Sequence, residues 1–82
     1  MTKTLYEKIL EYYEKRYHGA IIQEAYKILT QNNFIIMKKP LYIRVEKSQS
    51  PDSSTIYIIF VYEEHSIVIR VLADGSVVVI DN

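Results

Sequence analysis

Apolar residues at three- and four-residue spacing open the chain. Leu5, Tyr6, Ile9, Leu10, Tyr13 and Tyr17 fall on one stripe, which predicts a helix over residues 4–18. Thr4 with Glu7 three positions on has the form of a capping box. Glu11 and Lys15 make a favourable pair one turn apart. His18 suits the negative end of this helix, and Gly19 can take the left-handed position that closes it. A second stripe, Ile21, Ile22, Ala25, Ile28 and Leu29, predicts a helix over residues 20–31, stopped by Asn32-Asn33. One straight helix would point the two stripes about 120° apart at about 100° per residue. A break at His18-Gly19 gives both the same core.

Beyond Pro40 the period changes from four to two. Leu41, Ile43 and Val45 alternate with Tyr42, Arg44 and Glu46, as in a half-buried strand. Residues 48–54 are polar and contain Pro51, so they read as a loop. Residues 55–62 are apolar on both parities, as in a central strand. Residues 66–72 and 76–80 are two further strands, joined at Asp74-Gly75, the signature of a two-residue type I′ hairpin. Residues 34–37 fit either a strand start or a buried linker. The predicted fold is α+β: two N-terminal helices packed on one face of a four-stranded antiparallel β-meander (ααββββ) in the order 1-2-3-4, as one domain over residues 1–82.

The turns set which residues share a face. A two-residue turn at Asp74-Gly75 places Leu72 opposite Val77, Val71 opposite Val78 and Arg70 opposite Val79. An even-numbered turn at Glu63-Glu64 puts Phe60 with Ile67 and Ile69; a three-residue turn would swap the faces. The face under the helices then holds Ile56, Ile58, Phe60, Ile67, Ile69, Val71, Val78 and Ile80, extended by Leu41, Ile43 and Val45. The opposite face holds Tyr42, Arg44, Glu46, Tyr57, Ile59, Val61, Ser66, Val68, Arg70, Leu72, Val77 and Val79. Its centre is apolar. At ~25 cal/mol per Å², leaving it wet forgoes a few kcal/mol, a large share of a small domain's stability. An apolar patch of this kind marks a contact with a protein partner or a second copy of the chain, unless residues 34–39 or the 48–54 loop fold over it. Residues 76–80 carry no charge and no proline, the devices that block edge pairing, so this strand can continue its sheet into a second copy.

Composition narrows the chemistry. The chain has 82 residues, no cysteine and two glycines, Gly19 and Gly75. That excludes disulfides, thiolate chemistry and glycine-rich phosphate loops. No cofactor and no metal site is expected. No basic apolar leader opens the chain, and no run approaches ~18 apolar residues, so the expectation is a cytoplasmic, intracellular protein with no membrane contact. Thirteen isoleucines against five leucines, with eight tyrosines, resemble the usage of A/T-rich genomes, including those of viruses and other mobile elements.

The catalytic candidates are weak: Glu63, Glu64 and His65, whose neighbours on a strand point to opposite faces and would need the turn, with Asp52, to converge. Ten basic and ten acidic residues cancel, but residues 1–50 carry +4 and residues 51–82 carry −4. The densest basic run is Lys38, Lys39, Arg44 and Lys47, interleaved with Tyr42. Cations with an aromatic ring are how sheets hold single-stranded nucleic acid, and Lys15 and Arg16 could add to that footprint. A helix-turn-helix with Gln23 and Lys27 as readers fits less well, since the second helix spends its stripe on the core. Tyr12 and Tyr26 lie at the stripe margins and are further contact candidates. The sequence therefore favours a non-enzymatic interaction module, a homodimer that binds a protein partner as an inhibitor, adaptor or assembly component. The alternative is a small nucleic-acid-binding protein.

Overall fold

A computed structural model describes residues 2–34, 38–48 and 54–82. The elements run α1 (Leu5–Glu14), α2 (His18–Gln31), β1 (Tyr42–Lys47), β2 (Thr55–Val61), β3 (Ser66–Leu72) and β4 (Val77–Asp81). The strands form one antiparallel sheet in the order β1-β2-β3-β4, so the α+β architecture is the one the periodicities predict.

The Thr4 capping box is present. The Glu7 N–H donates to the Thr4 hydroxyl and the Thr4 N–H donates to the Glu7 carboxylate, both at 3.1 Å. α1 ends earlier than its apolar stripe suggests. The Tyr17 N–H donates to the Tyr12 carbonyl (2.8 Å) and the Arg16 N–H to the Tyr13 carbonyl (3.1 Å). That pair of bonds is a Schellman closure, and its left-handed residue is Arg16, at φ 60°. The break thus lies at residues 15–17 and not at His18-Gly19. His18 begins α2 at its positive end, Gly19 lies inside the first turn, and Tyr17 is exposed rather than part of the core. The physical reason is that a left-handed residue is needed wherever the two stripes must be realigned. The chain puts it three residues before the glycine.

Helices and sheet share one core. Tyr6 and Ile9 of α1 and Ile21, Ala25, Ile28 and Leu29 of α2 meet Ile56, Ile58, Phe60, Ile67, Ile69 and Val71 of the two central strands. The Lys8 ammonium and Glu24 carboxylate bridge the helices at 3.1 Å. Tyr26 packs edge-on against Phe60, with ring centroids 5.3 Å apart, and Tyr12 also packs against the core. Both tyrosines singled out as contact residues therefore have structural partners.

The even-numbered turn holds: Phe60 pairs with Ile67 and Val61 with Ser66 across Tyr62-Glu63-Glu64-His65. The last hairpin departs from expectation. Its loop has three residues, Ala73, Asp74 and Gly75. The Gly75 N–H donates to the Leu72 carbonyl and the Leu72 N–H to the Ser76 carbonyl, both at 2.9 Å. Gly75 is left-handed at φ 91°, and the Asp74 carboxylate accepts from the Ser76 N–H (2.8 Å) and hydroxyl (2.6 Å). This is the tight turn followed by a left-handed glycine that three-residue hairpins use. The register moves by one: Val71 pairs with Val77, Arg70 with Val78, Ile69 with Val79 and Val68 with Ile80. Val77 and Val79 therefore pack on the core side, and Val78 and Ile80 take their places on the outer face. Leu41 also departs from the reading: it precedes β1 and is 63 % exposed, while Ile43 and Val45 do extend the core.

Candidate functional site

The outer sheet face is built in transverse rows by the three registers. Glu46, Tyr57, Arg70 and Val78 form one row, and Arg44, Ile59, Val68 and Ile80 form the next. Tyr42, Val61 and Ser66 form a third. Thr55 and Leu72 close the face at one end, where Thr55 is buried. The helices pack on the other side, so the apolar centre of this face (Ile59, Val61, Val68 and Ile80) is only half-buried. Val78 and Tyr42 are open, at 40 % and 52 % exposed. Of the twelve residues read onto this face, Val77 and Val79 lie beneath it and the other ten share it.

Arg70 sits at the centre of this surface. Its guanidinium lies 5.9 Å from the Tyr57 ring centroid, a cation–π arrangement. Its Nε is buried, and among the described residues no acceptor meets it. Arg44 differs: its guanidinium donates to the Glu46 carboxylate two positions along β1. The face therefore carries one cation with its donor unspent, framed by aliphatic side chains and two tyrosines.

A second feature forms at the end of the sheet. A cleft of about 400 Å³ is lined by Lys38, Lys39, Leu41, Tyr62, Glu63, Glu64 and His65. It joins two groups of candidates that the sequence kept apart, the lysines of the basic run and the acidic turn. Tyr62 holds it together: its hydroxyl donates to the Lys38 carbonyl (3.1 Å), and its ring stacks on His65 at 4.8 Å and 2°. Burial holds the Tyr62 phenol above its ordinary range, so it stays protonated and keeps that bond. Among the described residues no hydrogen bond or ion pair orients the His65 imidazole, as a general base would require. No group of three metal-ligating side chains converges among them either. Asp52 lies outside the described residues, as do residues 35–37 and 49–53, which bear on what covers the outer face.

The basic run does not gather into one groove. Lys38 and Lys39 line the cleft with two carboxylates, Arg44 is paired with Glu46, and Lys47 ends β1 on the sheet edge. On α2, Gln23 is exposed while Lys27 lies 3.7 Å from Glu24. No helix among the described residues is long and apolar enough to cross a membrane. No protein-family model, curated protein or solved structure matches this chain.

Proposed function

We propose that this protein is a non-enzymatic interaction module, homodimeric, that docks a protein partner on the outer face of its sheet. The observation that carries this reading is the makeup of that face: an aliphatic centre with Arg70, Tyr57 and Tyr42 set into it. Arginine and tyrosine within an apolar surround are the residues that dominate binding energy at protein interfaces. A partner that brings a carboxylate or carbonyl over the Arg70 guanidinium, with aliphatic or aromatic side chains beside it, pairs that charge and covers the face.

The nucleic-acid alternative draws less support. Arg44 is spent on Glu46, and Glu63 and Glu64 share the cleft of Lys38 and Lys39. A phosphate backbone would meet carboxylates wherever it meets these cations.

The test is selection from a random peptide library displayed on phage against the immobilised protein. The reading expects enriched peptides that combine an acidic residue with aliphatic or aromatic ones. It also expects binding to fall at least about tenfold in Arg70→Met, which loses a charge-assisted bond, and in Ile59→Lys, which sets an unpaired charge in the apolar centre. Enrichment that neither variant disturbs would overturn the reading, as would no enrichment at all.

A further inference from the structure

The edges of the sheet differ in a way that selects how two copies meet. The Ser66 and Asn82 N–H groups donate to each other's carbonyls (3.0 and 2.8 Å), and the Leu72 N–H donates to Ser76. With the β3–β4 register between them, Ser76, Val78, Ile80 and Asn82 turn their backbone groups towards β3. Val77, Val79 and Asp81 turn theirs away from the sheet. Among the described residues no backbone group meets them.

The opposite edge has the same geometry and different chemistry. Ser48 donates to Thr55, so Ile43, Val45 and Lys47 turn their backbone groups away from β2, where none among the described residues meets them. Here Arg44, Glu46 and Lys47 are charged and exposed, which opposes pairing with another strand. From Val77 to Ile80, β4 carries only aliphatic side chains.

We infer that two copies of the chain pair through β4, antiparallel, about a two-fold axis at Val79. This rests on the reading of the protein as a homodimeric module and specifies its contact. The register follows from the free groups. Val79 meets Val79 of the second copy, and Val77 meets its Asp81. Three residues in each copy then use their one N–H and one C=O, giving six backbone hydrogen bonds. An axis one residue away, at Val78, leaves the Asp81 groups of both copies to meet a turn instead of a strand. Pairing at Val79 also sets Val78 against Ile80 of the second copy on the outer face. The two four-stranded sheets become one of eight strands, and two outer faces become one surface with an Arg70 on each side of the axis. A heterologous strand from another protein would satisfy the same edge but would not need the symmetric register.

Amide hydrogen exchange read by nuclear magnetic resonance, in dilute and concentrated samples, tests this. The Val77, Val79 and Asp81 amides should slow at least about tenfold on concentration, while those of Ile43, Val45 and Lys47 stay fast. Val79→Pro removes an outward N–H and no bond to β3, so it should keep the fold and yield a monomer, while Val79→Thr stays paired. If Val79→Pro does not fold, the exchange rates of the unaltered chain decide. A dimer whose Val77, Val79 and Asp81 amides exchange fast would overturn the strand pairing and leave self-association standing. Protection of the Ile43, Val45 and Lys47 amides instead would overturn it in favour of the other edge. A monomer at every concentration would overturn both the pairing and the homodimer.

Discussion

Arg16 carries a backbone conformation that disfavours any side chain. Its φ of 60° closes α1, whereas Gly19, three residues on, sits in a helical turn with open space around its Cα. The chain has placed its glycine where alanine would do and an arginine where glycine would do. Arg16→Gly should raise stability by about 0.5–1 kcal/mol by relieving left-handed strain. Gly19→Ala should raise it by about 0.5 kcal/mol, a first-turn position giving the lower end of the usual range. Urea unfolding of the two variants and their combination measures both, and the effects should nearly add. Thr4→Ala, which dismantles the capping box, should cost about 1 kcal/mol by the same measurement.

The exposed carboxylates give the residue scale its pH dependence. Lys3 and then Lys15 bond the Glu11 carboxylate and hold it down to about 2, from an ordinary 4.5. Backbone and hydroxyl bonds from Thr4 lower Glu7, and the hydroxyl and N–H of Ser76 lower Asp74. A carboxylate whose folded pKa is depressed lends stability that is present above the unfolded value and lost as pH falls through the folded one. The melting temperature should therefore hold between neutral pH and about 5, then decline from about 4.5 towards 2. Glu11→Gln should flatten that decline and lower the neutral plateau by the same amount, a small one because exposed pairs contribute little.

At the scale of elements, legibility followed the contrast between apolar and polar positions. The helices were legible because each has a stripe, and β1 to β3 because Arg44, Arg70 and the Glu63-Glu64 turn anchor their parity. β4 has no such anchor. Val77, Val78, Val79 and Ile80 are apolar on both parities, so either register buries aliphatic side chains, and only the turn decides. Asp-Gly fits a two-residue turn, but it equally fits the last two positions of a three-residue loop in which Asp74 caps Ser76. The same limit moved the helix break, since the stripe angles demand a break and do not say which residue turns left-handed. The observed register makes its own prediction. Val77→Thr or Val79→Thr should cost about 1 kcal/mol, a hydroxyl facing the core, and Val78→Thr under about 0.5 kcal/mol. The two-residue turn would reverse that order, so thermal or urea unfolding of the three variants separates the registers.

For the molecule as a whole, the candidate site was half legible. The sequence exposed an apolar second face and an unguarded last strand. It could not show that Arg70 stands in the middle of that face over Tyr57 with a donor unspent, because cross-strand neighbours exist only once the registers are set. Nor could it join Lys38 and Lys39 to Glu63 and Glu64 in one cleft, since residues 24 or more positions apart meet there. Charge follows the same geometry. Lys38, Lys39, Arg44 and Lys47 lie in β1 or just before it, and Asp74 and Asp81 stand at the two ends of β4. Acidic groups of like sign at a pairing edge repel, so salt should not weaken a dimer formed there. Dissociation by salt would instead point to ion pairs as its cement.

The most direct test is the absolute mass in solution, by light scattering on a sizing column at about 50 mM and about 500 mM salt, which spans strong to weak charge screening. A particle of twice 9.7 kDa at both salts is what apolar burial and backbone pairing between two copies predict. A particle of 9.7 kDa at both would contradict the account, because the β4 edge would then have no second copy to pair with.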